Sequence, residues 1–197
     1  MGLEFDINGI GIKSVGKIQR GIIKASKKVK VREAAYKWVI SNVKTPVKTI
    51  IGDVVFNGNT IQDSLAHGYG QDKIDAISSI AKVLSDGTYL GSEKDYNGVT
   101  IVNHFFAGKV DFGDKQMIVF CRVREADGDV AGKRFYVHEV FDEDEIKKGS
   151  PFQTGTANYG KKSGGKPLYK MLLQRILVVN PDIVSEVFDE NGETETV

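Results

Sequence analysis

The stretch 99–141, VTIVNHFFAGKVDFGDKQMIVFCRVREADGDVAGKRFYVHEVF, decides the fold. Three runs within it, Val99 to Phe106, Gln116 to Arg124 and Arg134 to Phe141, are dense in Val, Ile, Phe and Tyr, the side chains that suit a pleated, half-buried surface. Between the runs stand Asp111-Phe112-Gly113-Asp114 and Ala126-Asp127-Gly128-Asp129, short pieces with hairpin chemistry. Successive hairpins make an antiparallel meander.

Upstream the period of the apolar residues is helical. Leu65, Ile74, Ile77, Ile80, Ala81 and Leu84 predict helices over about Ile61 to Ala66 and Gln71 to Ser85, broken at His67-Gly68-Tyr69-Gly70 and ended by Asp86-Gly87. Ile50 to Phe56 reads as a short strand closed by the turn Asn57-Gly58-Asn59, with Thr60 as the following N-cap. Ala34, Ala35, Trp38 and Val39 place an earlier helix over Val31 to Val43, stopped by Thr45-Pro46. Downstream, Lys147 to Gly165 has the composition of a flexible loop. Leu168, Met171, Leu172, Ile176 and Leu177 then restore helical spacing, and the end of the chain is an acidic tail. The expected class is α+β: helices followed by a four-stranded antiparallel sheet, with an extra C-terminal helix.

The charges are sorted into blocks although the net charge is only +1. Lys13, Lys17, Arg20, Lys24, Lys27, Lys28, Lys30 and Arg32 crowd the N-terminal region, and Lys161, Lys162, Lys166, Lys170 and Arg175 form a second basic stretch that suits phosphates. The one cysteine, Cys121, lies in an apolar run and reads as core, so no internal disulfide is available. No apolar run approaches the ~20 residues of a membrane span, and the first residues lack a secretory pattern. A cytoplasmic location is the expectation.

Known site patterns fail on particular residues. Gly11 to Lys17 matches most of a phosphate-binding loop, but Ile18 stands where a magnesium-holding hydroxyl is needed. Asp127-Gly128-Asp129 begins like a calcium loop, whose closing carboxylate position is His138. His67, His104 and His138 have no short ligand spacing, so neither a metal nor a cofactor is implied. Alternation instead sorts the strand residues: Arg122 and Arg124 share one face of their strand, Arg134, Tyr136 and His138 one face of theirs, and His104 lies on the side of Val102 and Phe106. If the register brings these together, imidazole, guanidinium and phenol groups meet on one surface, with His67 reaching it from the helices. RNA cleavage without a metal needs such groups: a base for the 2′-hydroxyl, an acid for the leaving 5′-oxygen and fixed cations at the phosphate.

Ser64-Leu65-Ala66-His67-Gly68 with Lys73-Ile74, then Val102 to Ala107, Val119 to Glu125 and Phe135 to Val140, resembles the phage-associated barnase/EndoU/colicin/RelE-like nuclease domains over about residues 50–142. Those domains occur in large polyvalent phage proteins and at the ends of head-morphogenesis proteins. The resemblance implies helices followed by a four-stranded antiparallel sheet, and a metal-independent endoribonuclease with a toxin or effector role. His67 matches the helix histidine, and Arg122, Arg124, Tyr136 and His138 match the sheet positions used for catalysis, with His104 beside them. Lys73, Lys161, Lys162 and Lys166 are the expected nucleic-acid contacts. The chain then divides into a basic extension with a helix (1–45), a nuclease-like α+β domain (46–146) and a loop, helix and acidic tail (147–197). The implied partners are RNA, a tRNA or another, and an antitoxin or immunity protein, in the cytoplasm of a bacterial host. The alternative is a non-catalytic module of a phage protein that binds nucleic acid or protein through its basic stretches.

Overall fold

A computed structural model describes residues 11–24, 26, 30–56, 60–61, 64–65, 70–95, 101–126 and 133–142, with the backbone alone at 95, 126, 133–139 and 141–142. The predicted C-terminal helix, the loop 147–165 and the acidic tail lie outside the described residues, as do the turns at 57–59 and 127–129.

The order is β1 (Ser14–Lys17), α1 (Val31–Asn42), β2 (Val47–Thr49), β3 (Gly52–Val55), α2 (Gln71–Ala76), a 3-10 turn (Ile77–Ser79), α3 (Ile80–Asp86), then β4 (Thr88–Asp95), β5 (Ile101–Asp111), β6 (Gln116–Ala126) and β7 (Lys133–Asp142). Strands β4 to β7 pair antiparallel in sequence order, a four-stranded meander within an α+β fold. The whole sheet is nevertheless mixed, which corrects the purely antiparallel expectation. β1 joins β5 in parallel, and β3 joins β7 in parallel with β2 beyond it. The order of helices before strands is also modified, because β1, β2 and β3 interleave with the helices. The single strand expected over Ile50 to Phe56 is a tight hairpin that turns at Ile50-Ile51, with Val47 opposite Val54.

Alternation along β5 and β6 assigns two faces. On the front face Phe106, Val110, Met117, Val119, Cys121 and Val123 pack with Ile74, Ile77, Ile80, Val83 and Leu84 of the helical layer. Ala35 and Val39 of α1 and Val15 of β1 belong to the same core. The back face buries a second set, Leu90, Phe105, Ala107, Ile118 and Phe120, all at most 1% exposed, with the Phe105 and Phe120 rings stacked at 5.8 Å. Continuous apolar runs such as Met117 to Cys121 are what a strand covered on both sides requires. Burial pushes the Cys121 thiol well above the ordinary thiol range, as expected of a core residue.

Two glycines let backbones close up. Gly108 of β5 lies under both β1 and α3: a Cβ there would stand 2.9 Å from Val15 Cγ1 and 3.1 Å from Val83 Cγ2. Gly87 ends α3, its N–H donating to the Val83 carbonyl at 3.1 Å. A Cβ on Gly87 would overlap that carbonyl oxygen and sit 2.7 Å from the carbonyl oxygen of Ala107. Both are backbone atoms held by neighbouring elements, so neither can swing away. Gly87→Ala is expected to lower stability by about 1–3 kcal/mol, the usual cost of overpacking. An unchanged midpoint in chemical denaturation would refute this close approach.

One polar hub ties the N-terminal segment to the rest. Arg20 Nε and Nη2 donate to both oxygens of Asp114 at 2.8 and 3.1 Å, and Nη1 donates to Asp72 Oδ1 at 2.6 Å. Nη1 also lies 3.8 Å from Oδ2 of Asp75, whose side chain is 0% exposed, and the guanidinium sits 5.1 Å above the Phe112 ring centroid. Asp75 Oδ1 accepts from Gly21 N and Gln71 Nε2, each at 2.9 Å. Desolvation works against ionisation of Asp114, but the Arg20 hydrogen bonds, a backbone hydrogen bond and the charges of Arg20 and Lys115 together outweigh it and hold the carboxyl below the usual range.

Candidate functional site

Three neighbouring strands bring three ionisable side chains into one hydrogen-bonded line. β4 carries Tyr89, β5 carries His104 and β6 carries Glu125. His104 faces the front because it stands directly opposite Val123 and two residues before Phe106, both part of the front core. Tyr89 reaches it because Tyr89 pairs with Phe106 and its ring packs on that phenylalanine at 5.1 Å. Glu125, two residues beyond Val123, presents its carboxylate from the other side.

The Tyr89 hydroxyl lies 3.1 Å from His104 Nδ1, and His104 Nε2 lies 2.8 Å from Glu125 Oε2. An ionised carboxylate only accepts, so Nε2 carries a proton and donates it to Glu125. In the neutral imidazole Nδ1 then accepts from the Tyr89 hydroxyl. In the imidazolium both nitrogens donate and the phenolic oxygen accepts. The line is satisfied in either state, which is the requirement for a buried polar group that exchanges protons. The His104 side chain in the middle of the line is 10% exposed and that of Glu125 is 40% exposed, so the carboxylate is open to solvent.

The other residues singled out from the sequence are distributed as follows. Arg122 and Arg124 do share a face, but it is the back one, with Arg122 opposite Phe105 and Arg124 opposite Asn103. Alternation therefore places both guanidiniums on the opposite side of the sheet from His104. On β7, His138 stands opposite Cys121, in the row next to that of His104 and Val123. A register shift between Arg122 and Val123 makes Tyr136 the extra residue of β7. This breaks the period-two relation expected between Arg134 and His138. Lys73 is 7% exposed on α2, in the helical layer over the front face. His67, Lys161, Lys162 and Lys166 lie outside the described residues.

Sequence reasoning missed Tyr89 and the pairing of Glu125 with His104. Tyr89 sits in a β-rich trio, Thr88-Tyr89-Leu90, directly after the helix stop at Gly87, and that trio was the available signal for β4. Glu125 continues the period-two series Cys121, Val123 and so falls on the face of His104.

Among the described residues, no helix is long and apolar enough to cross a membrane. No curated protein and no solved structure matches the chain. One family model does: large polyvalent protein-associated domain 3, over residues 26–136. The matched segment exceeds half the chain and holds α1 to α3, β2 to β6 and all three members of the hydrogen-bonded line. The chain accordingly belongs to the phage-associated family of large polyvalent protein-associated domain 3.

Proposed function

We propose that this domain is a metal-independent endoribonuclease, and the observation that supports the reading is the Tyr89–His104–Glu125 line with its part-exposed carboxylate. In the proposed reaction the 2′-oxygen of a ribose forms a bond to the adjacent phosphorus while the bond from phosphorus to the 5′-oxygen breaks. Glu125 takes the proton of the 2′-hydroxyl, and His104, donating from Nε2, positions that carboxylate and disperses the change in charge along the line to Tyr89. The 5′-oxygen leaves with a proton from an acid, for which His67 and His138 are the assigned candidates. Lys73 of the covering layer is the assigned cation for the phosphate. The roles expected of Arg122, Arg124 and Tyr136 belong to the opposite face or to β7, and their part in the proposal is RNA binding.

The reading is tested by incubating the purified protein with total RNA and with a tRNA pool in the presence of chelator, and mapping the fragment ends. Chelator-resistant cuts leaving 2′,3′-cyclic phosphates are expected, and they should disappear in Glu125→Gln. Cleavage that needs a divalent ion, or that Glu125→Gln performs at the wild-type rate, removes this assignment. If no RNA is cut, the alternative of a non-catalytic binding module of a phage protein takes its place.

A further inference from the structure

A second surface on the molecule has a different chemistry. β1, α1, the β2 region and α3 enclose a groove of about 530 Å³. Lys17, Lys44, Lys48 and Lys82 line it, together with Trp38, Asn42, Ser78 and Ser85, and no carboxylate is among its lining residues. Lys44 and Lys82 are exposed and enter no ion pair among the described residues. Lys48 is paired with Asp53 at 2.7 Å, and Lys17 lies 3.9 Å from Asp111. Lys82 reaches from α3 to the β1 backbone, where a Cβ on Gly16 would stand 3.7 Å from its Nζ. Trp38 is half-buried in the wall and is the only tryptophan of the chain.

We infer that this groove binds single-stranded RNA, with its lysines on successive phosphates and a base against Trp38. An ammonium group with an aromatic face and hydroxyl and amide donors is the combination that tracks a single strand without reading its sequence. The volume is of the size of ordinary ligand sites, enough for a short piece of a strand rather than a duplex. An acidic protein segment offers carboxylates to the lysines but no planar base for Trp38, which favours RNA over that class of partner. The inference rests on RNA being the ligand of the domain and adds a site remote from Tyr89–His104–Glu125: the groove involves β1 and α3, and the line belongs to β4, β5 and β6.

The lone tryptophan makes the test direct. A 2′-O-methylated oligouridylate, which lacks the attacking hydroxyl and cannot be cut by the proposed route, is titrated into the wild-type protein while Trp38 fluorescence is followed. Saturable quenching is expected. The logarithm of affinity should fall with the logarithm of salt at a slope of roughly −1.5 to −2, as for two to three strand phosphates. Lys44→Glu with Lys82→Glu, both at exposed positions where the fold tolerates change, should weaken binding at least about tenfold. Quenching without RNA cleavage keeps the groove and removes the nuclease. RNA cleavage without quenching, affinity independent of salt, or equal quenching by polyglutamate each overturns the groove assignment, the last in favour of an acidic protein partner.

Discussion

Under the proposed nuclease reading, His104→Gln is expected to cut RNA about 10²-fold more slowly than the wild type, because the base, Glu125, loses the imidazole that spreads its change in charge towards Tyr89. Glutamine fills a similar place and its amide can still donate to Glu125, so the hydrogen bond at that end survives. What it loses is the ability to take up or pass on a proton, and with it the connection from Glu125 to Tyr89. The fold should be retained, which a denaturation midpoint close to that of the wild type would show. Tyr89→Phe removes only the hydroxyl and is expected to cost about tenfold, through a less firmly oriented imidazole. A His104→Gln protein that folds and cuts at the wild-type rate reduces the line to a packing device, in which a buried histidine is merely satisfied by its neighbours.

Arg20→Met is expected to destabilise the protein by about 2–3 kcal/mol. Removing one member of a buried ion pair costs more, ~3–5 kcal/mol, because the remaining charge is stranded. Arg20 is about one-third exposed, so water replaces part of what it supplies. The stranded group is Asp75, fully buried, whose Oδ2 lies 3.8 Å from Arg20 Nη1. The cause can be isolated by a second change. Asp75→Asn keeps the acceptor for Gly21 N and removes the charge, so it should recover part of the loss in the Arg20→Met background while destabilising the wild type. Arg20→Met within about 0.5 kcal/mol of the wild type would show the hub to be energetically idle. Acid should act on the same place. The depressed carboxyl of Asp114 adds stability above its unfolded value of about 3.9 and loses it as the pH falls through its lower folded value. Hydrogen exchange in residues 18–24 is therefore expected to quicken below about pH 4.

The middle of the fold was legible because its residues declare a period. β5, β6 and β7 were read from their apolar density, and the helices α1 and α2–α3 from Trp38, Val39, Ile74, Ile77 and Ile80. β1 was not legible. Ser14-Val15-Gly16-Lys17 has one buried apolar side chain, and it is extended because the edge of β5 offers it partners: Lys109 N donates to Lys13 O, and Ile18 N to Asp111 O, each at 2.9 Å. β4 was hidden by its polar half, Ser92 to Asp95, which suits the edge of a sheet and not its centre. The site shows the same division. His104 stood out as a residue type on a known face, but its partners lie 15 and 21 residues away on other strands, and only the register names them. Register also separated Arg122 and Arg124 from His104, a distinction that period-two reasoning within single strands cannot make.

The parallel pairings at the two sides of the meander constrain how the chain can assemble. β1 must wait for Lys109 to Asp111, and β3 for Lys133 and Arg134, so both join only after long loops have closed. On a ribosome the meander cannot recruit β1 until β5 has emerged, and β3 has no mate until β7 has. Non-local closure of this kind slows folding. Until it is complete, the early strands expose unpaired edges, so the nascent chain is most open to aggregation during that interval.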